Sequence, residues 1–314
     1  MLYRAADPFL FIDARRLPRP TWTEPLPGPL LSDGPIISVV TPSFNQAPFL
    51  ERTLASVVGQ RYPSLEYIVQ DGGSTDGSVA ILERWAERLQ WWESRPDAGQ
   101  SAAINAGFRR STGEIMAYVN SDDVLMPGAL ATVSRFMTAH PDVDAVYSHG
   151  LMIDENDRPA VLLLLPEHDD RALRWYDYVP QMTLFWRRSL WEKVGQTMDE
   201  SLHYAMDWDL LQRFIDAGAR FARLPTLLGG FRLHDAQKTQ TIRALGSREV
   251  DALRTRHLDH RVSFRELVLN ASPHLLSRAR VVLAYRLGFQ RLEIPWEATA
   301  GHSPTNSIGQ CAQQ

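Results

Sequence analysis

From Pro35 onward, short apolar runs alternate with stripes at helical spacing. Ile36–Val40 is β-branched and is followed by Thr41-Pro42-Ser43-Phe44-Asn45. Leu50, Leu54, Val57 and Val58 then share one helical face. Leu65–Gln70 is a second strand, broken by Asp71-Gly72-Gly73, and Asp76 can cap a helix carrying Leu82, Trp85 and Leu89. A brief strand near Trp91, a helix over 101–110, an apolar strand Glu114–Val119, a helix after Pro127 and a strand Ala145–Ser148 continue the alternation. Such βαβ units, joined by right-handed crossovers, predict an α/β fold: an αβα sandwich with a mainly parallel sheet. Ligands of such sheets bind beyond the carboxyl ends of the strands, which puts Asn45, Asp71, Asp97 and Asp122 on one rim.

Past residue 150 the pattern loosens. Pro180–Trp186 reads as a strand, His203–Gly218 as a helix, and Gly229–His234 as a strand-like segment with a polar end. Helical patterns dominate from Arg243, and Gly301–Gln314 has the composition of a disordered tail. Residues 1–34 are proline-rich without helical period, as in an extended arm lying on a domain. At 314 residues the chain exceeds the size of one growing core, so appendages or a second domain are expected. Apolar residues at 44% and charged residues at 22% are ordinary for a soluble protein. A net charge of −4 provides no basic field for nucleic acid. The single cysteine, Cys311, excludes an internal disulfide. The first residues lack a signal-peptide pattern, and the longest aliphatic run, Val161–Leu165, is too short to cross a bilayer, so a cytoplasmic location is expected.

The chemistry concentrates at strand exits. Asn120-Ser121-Asp122-Asp123 ends an apolar strand on two adjacent carboxylates. Their repulsion is relieved by a bound cation; the other reading is an ordinary polar turn. Asp71–Ser78, DGGSTDGS, follows a strand directly, with glycines that let backbone approach a flat ligand and an acid placed to accept hydrogen bonds from a base or sugar. Neither a GxGxxG nor a GxxxxGK(S/T) motif occurs, so the dehydrogenase and P-loop readings lack their central element.

Five ordered blocks carry a resemblance: Thr41–Asn45, Asp71–Ser78, Pro96–Gln100 with Asn105-Ala106-Gly107, Asn120–Asp123, and Met206-Asp207-Trp208. In order and spacing they resemble the inverting family 2 glycosyltransferases over about residues 35–240. The resemblance implies a GT-A fold with a nucleotide-binding half (35–125), an acceptor-binding half (126–240) and a helical C-terminal extension (241–314). It further implies that Thr41, Pro42, Ser43, Asn45, Asp71 and Gly72 line the base, with Asp97, Gln100 and Asn105 near the nucleotide. Asn120, Ser121 and Asp122 would meet ribose and diphosphate, Asp122, Asp123 and His234 would hold Mg²⁺ or Mn²⁺, and Asp207 would be the catalytic base. The implied reaction moves a sugar from a nucleotide-diphosphate donor to a saccharide or polyprenyl-linked acceptor, in cell-surface or extracellular polysaccharide synthesis.

Two departures stand out. Asn120 occupies a place where many relatives carry an acid, and the acid pair common at the base position is Met206-Asp207 here, with Asp209 as second candidate. Gln181 resembles an acceptor-facing position, and Trp208 is the tryptophan best placed to stack on a sugar. A sugar-nucleotide-binding protein without catalysis would lack the base; a sugar nucleotidyltransferase would need a glycine-rich N-terminal loop with a basic residue, which is not evident. Between Arg243 and Arg291 ten arginines face four acids, with apolar residues at helical spacing. Such helices can contact an anionic membrane peripherally, or pack on the domain with a solvated arginine face.

Overall fold

The computed structural model describes residues 10–21, 34–235, 237–238, 243–290, 292 and 294. The expected tail at 301–314 and Cys311 lie outside them.

Four parallel strands, β2 (Ile37–Ser43), β3 (Leu65–Asp71), β4 (Trp91–Ser94) and β5 (Ile115–Tyr118), lie in the order β4-β3-β2-β5. Their residues alternate between two cores, as the two-residue period of a strand requires. Ile37, Val39, Val69, Ile115 and Ala117 face α1 (Ala47–Val58), α2 (Ser78–Trp85) and α4 (Ala129–Ala139). Val40, Ile68, Met116 and Tyr118 face α3 (Gln100–Arg110) on the other side. The α3 backbone presses close to the sheet: a Cβ on Gly107 would lie 2.4 Å from Val40 Cγ1. The Asp76 carboxylate starts two helices at once, accepting Ser78 N–H at 3.0 Å and Ala47 N–H at 2.8 Å.

Beyond β5 the sheet turns antiparallel through β9 (Phe185–Arg187), which joins it to β7 (Ala145–Ile153). Strand β7 pairs in parallel with the long β10 (Phe221–Arg232) and antiparallel with β8 (Pro159–Leu163), while two-residue β6 (Val124–Leu125) pairs with β10. Parallel ladders carry most of the paired length. Pro180–Trp186 is not the single strand expected: Thr183 hydroxyl donates to Pro180 carbonyl at 2.8 Å, folding Gln181–Thr183 into one 3₁₀ turn before the short β9. The acceptor-side helices are α5 (Asp170–Trp175), α6 (Arg188–Lys193) and α7 (Met206–Asp216), the last starting three residues later than the periodicity predicts.

Arm residues Ile12–Asp13 form β1, which extends the sheet beyond β8, and Phe11, Ala14 and Leu17 are buried. Helices α8 (Arg243–Leu258) and α9 (Phe264–Arg286) pack against this assembly; Leu253 and Ala271 enter the α3-side core. Among the described residues no helix is long and apolar enough to cross a membrane.

Candidate active site

The rim forms where β2, β3, β4 and β5 end. Asn45, in the left-handed region at φ +51°, ties two of its loops together: its N–H donates to Ser74 Oγ at 2.7 Å and its Oδ1 accepts Thr75 N–H at 2.9 Å. Asp71 is fully buried and accepts four hydrogen bonds, from Gly73 and Ser74 N–H and from the Ser74 and Ser94 hydroxyls. A carboxylate offers about four lone-pair sites, and here Asp71 spends them on shaping the DGGS turn. What the turn presents is backbone. A Cβ at Gly72 would sit 3.3 Å from both Asp97 Oδ1 and Phe44 Cδ2. Asp97 is exposed, and partial burial, with the Asp71 charge nearby, raises its pKa although Gly99 N–H donates to it at 2.8 Å. Phe44, 62% exposed beside Gly72, is a flat apolar surface on the rim that motif reading passed over. Thr41 and Pro42 lie buried beneath, Thr41 against Tyr67 hydroxyl at 3.0 Å. Ser43 Oγ is buried and, among the described residues, lacks a partner.

The acidic step after β5 resolves into one inward and one outward acid. Asp123 is buried: Arg232 N–H donates to its Oδ1 at 3.0 Å, and Asn120 Nδ2 to its Oδ2 at 3.3 Å. Burial, and next the charge of Asp122, push its pKa well up. Asp123 anchors the turn in this structure. Asp122 points outward, its Oδ2 3.0 Å from His234 Nε2. The imidazole is steadied by the Phe49 ring at 4.4 Å between centroids. Among the described residues no group of three acids, histidines or cysteines converges on a metal position. Asp122 and His234, one carboxylate and one imidazole, are donors of the kind a divalent cation takes. Ser121 is buried, and its carbonyl accepts Thr53 hydroxyl at 2.9 Å. Asn120 stands in a polar chain: Lys238 Nζ donates to Gln100 Oε1 at 2.7 Å, Gln100 Nε2 to Asn120 Oδ1 at 2.6 Å, and Asn120 Nδ2 to Gln181 Oε1 at 3.2 Å.

Asp207 lies in the first turn of α7. Its carboxylate accepts Trp208 N–H at 2.8 Å and, among the described residues, no side-chain donor. Burial raises its pKa, while Lys238 draws it down. Asp177, following α5, is its electrostatic neighbour, and both act on the buried Tyr118 hydroxyl. Asp177 accepts Val179 N–H at 3.1 Å. Burial, and next the Asp207 charge, push its pKa well up. The signal for Asp177 was an acid inside the aromatic run Trp175–Val179.

Three further candidate residues are held by other contacts. Asp209 is buried in ion pairs with Arg213 (2.8 Å) and Arg256 (3.5 Å), away from Asp207. Asn105 is buried and spent on the 198–200 segment, accepting Met198 N–H at 2.7 Å and donating to Met198 carbonyl at 3.0 Å and to Glu200 Oε1 at 2.9 Å. Trp208 is a core residue whose indole N–H donates to Leu173 carbonyl at 2.8 Å.

The family model described as glycosyl transferase family 2 matches residues 38–193. Residues 38–193, just under half of the chain, are similar to this family. An uncharacterized glycosyltransferase of Mycobacterium tuberculosis is 30% identical over 171 residues, covering 52% of this chain and 63% of the relative's length. The O-antigen biosynthesis protein RfbC of Myxococcus xanthus is 30% identical over 192 residues, which are 60% of this chain and 15% of RfbC. The mannosyltransferase PcManGT of Pyrobaculum calidifontis, solved with GDP-Man and Mn²⁺, superposes with a TM-score of 0.57 at 20% identity, covering 89% of this chain and 84% of its own. At that identity the likeness shows the fold, which is GT-A. The family match takes in the rim, the acidic step and Asp177; Asp207, His234 and Lys238 lie beyond it.

Proposed function

We propose that the chain is an inverting glycosyltransferase, moving a sugar from a nucleotide-diphosphate donor to a hydroxyl of a saccharide or lipid-linked acceptor in cell-surface polysaccharide assembly. The observation that carries this reading is Asp207: a half-buried carboxylate without a side-chain donor among the described residues, with Asp177 beside it and a lysine opposite. The family, and RfbC among its relatives, support the donor class and the setting.

Phe44, Gly72 and Asp97 are placed to receive the base, Phe44 by stacking. Asn120 and Gln100 face the ribose side. Asp122 and His234 would hold a divalent cation, which when bound offsets charge building on the departing diphosphate. The acceptor hydroxyl attacks the anomeric carbon from the face opposite the diphosphate. As the new C–O bond forms, the bond to diphosphate oxygen breaks and its electron pair leaves with the nucleotide. Asp207 takes the hydroxyl proton. Lys238 favours the ionised form of the base.

The solvent face of α9 suits a lipid-linked acceptor at the inner face of the cell membrane. Leu269, Leu276, Leu283 and Leu287 are exposed along one stripe interspersed with Arg265 and Arg280. Two copies of this stripe would bring arginine against arginine, whereas an anionic lipid surface matches both its charge and its apolar line.

The test begins with UDP-, GDP- and dTDP-sugars screened for thermal stabilisation with Mn²⁺. The best donor is then assayed for nucleotide release. Asp207→Asn should lower turnover about 10²–10⁴-fold while keeping donor affinity, and EDTA should abolish it. Unchanged turnover in Asp207→Asn would favour a binding protein without catalysis.

A further inference from the structure

The helix that delivers Asp207 has no cap of its own: Ala205 precedes it, and a methyl group accepts nothing. The acceptor comes from α8. Glu249 is buried, and its Oε1 accepts His203 N–H at 2.9 Å while its Oε2 accepts Tyr204 and Ala205 N–H at 2.7 and 3.0 Å. A carboxylate here satisfies donors at the helix entrance and meets the positive end of the helix dipole.

The rest of α8 is fitted to the same place. Gly246, three residues earlier on the same face, lies against the Tyr204 ring, where a Cβ would come within 2.6 Å of Cγ. Arg254 donates to Trp175 carbonyl at 2.9 Å and lies over the Trp208 ring, 5.6 Å from its centroid. From the opposite side, α3 holds the same approach to α7: Asn105 grips Met198, and Ser101 hydroxyl donates to Leu202 carbonyl at 3.3 Å.

Resting on Asp207 as the base, we propose that Glu249 is its positioning residue: α8 fixes the 203–205 backbone from which Asp207 projects, which makes this C-terminal helix part of the catalytic unit. Three N–H donors converge on two carboxylate oxygens. An amide at position 249 offers one acceptor oxygen and turns an NH₂ toward a donor.

The experiment uses the full chain with Glu249→Gln, Glu249→Ala and Asp207→Asn. It reads kcat and donor KM from nucleotide release, affinity for GDP and UDP with Mn²⁺, and amide exchange across 198–216. Both Glu249 variants should lose about tenfold or more in kcat, with donor KM and nucleotide affinity within about twofold of the parent. Exchange should quicken at 203–208 and stay slow in the rest of α7. Parental kcat in Glu249→Ala beside an inactive Asp207→Asn overturns the inference alone. So does a joint loss of kcat, nucleotide affinity and protection throughout α7, the signature of a general structural role. Parental turnover in Asp207→Asn overturns the reading of the base, and the inference with it.

Discussion

Replacing Arg232 with methionine should destabilise the protein through a buried charge network that also shapes the acidic step. Arg232 is fully buried, with Nη1 paired to Asp157 Oδ1 and Nε donating to Asp122 carbonyl at 2.8 Å. Asp157 is 1% exposed and has two other partners, Arg19 at 3.1 Å and Arg52 at 3.4 Å. Methionine keeps the apolar bulk, leaving Asp157 without its buried cation and Asp122 carbonyl without that donor. Removing one member of a buried pair costs about 3–5 kcal/mol. Arg52 and the more exposed Arg19 each return up to about 1 kcal/mol, so about 2–4 kcal/mol is expected. Urea midpoints, read at constant slope, measure it. Asp157→Asn combined with Arg232→Met should recover part of the loss, because the amide removes the unpaired buried charge and tolerates the left-handed backbone at φ +64°. Arg19→Ala, by contrast, should stay within about 1 kcal/mol. A loss below about 1 kcal/mol for Arg232→Met, or a double variant as unstable as the single, would refute the reasoning.

Two further outcomes follow from the site and the surface. Burial raises the Asp207 pKa, with Asp177, Tyr118 and Lys238 facing it, and the competent base is ionised; kcat should therefore rise with pH along a limb placed above the ordinary carboxylate value of about 4, and a pH–rate profile whose limb sits at that value contradicts it. The chain should co-sediment with phosphatidylglycerol vesicles and not with phosphatidylcholine ones, and Leu276→Glu with Leu283→Glu should abolish this; equal binding to both lipids, or dimerisation without lipid binding, counts against a lipid surface.

The parallel half of the fold was legible because its strands and helices alternate with clean periods, and the rim followed from topology alone. What the sequence left open was set by contacts distant along the chain. Asp122 and Asp123 are adjacent and chemically identical; Arg232 N–H decides which one turns inward. Trp208 and Asn105 belong to motif blocks but serve packing and backbone, because α5 and the 198–205 segment close over them. Asp177 was hidden in an aromatic run that reads as core. Glu249 was one acid in a helix whose arginine excess drew the eye to its surface.

Motif membership alone does not separate an acid that builds a site from one that works in it; lone-pair accounting does. Asp71 spends its carboxylate on one turn, Asp123 accepts from backbone and amide, Asp209 lies between two arginines, and Glu249 is taken by three N–H groups. Each is buried, and each would leave orphaned donors or cations behind if it turned toward a substrate, at a cost of several kcal/mol of order. Asp97, Asp122 and Asp207 each keep an oxygen that no N–H donor among the described residues occupies. Under the proposed function these three would stand in the order the reaction needs, at the base, the diphosphate and the acceptor. The committed acids hold the loops from which they project, so replacing a committed acid should cost stability before chemistry, and replacing one of the three should do the reverse.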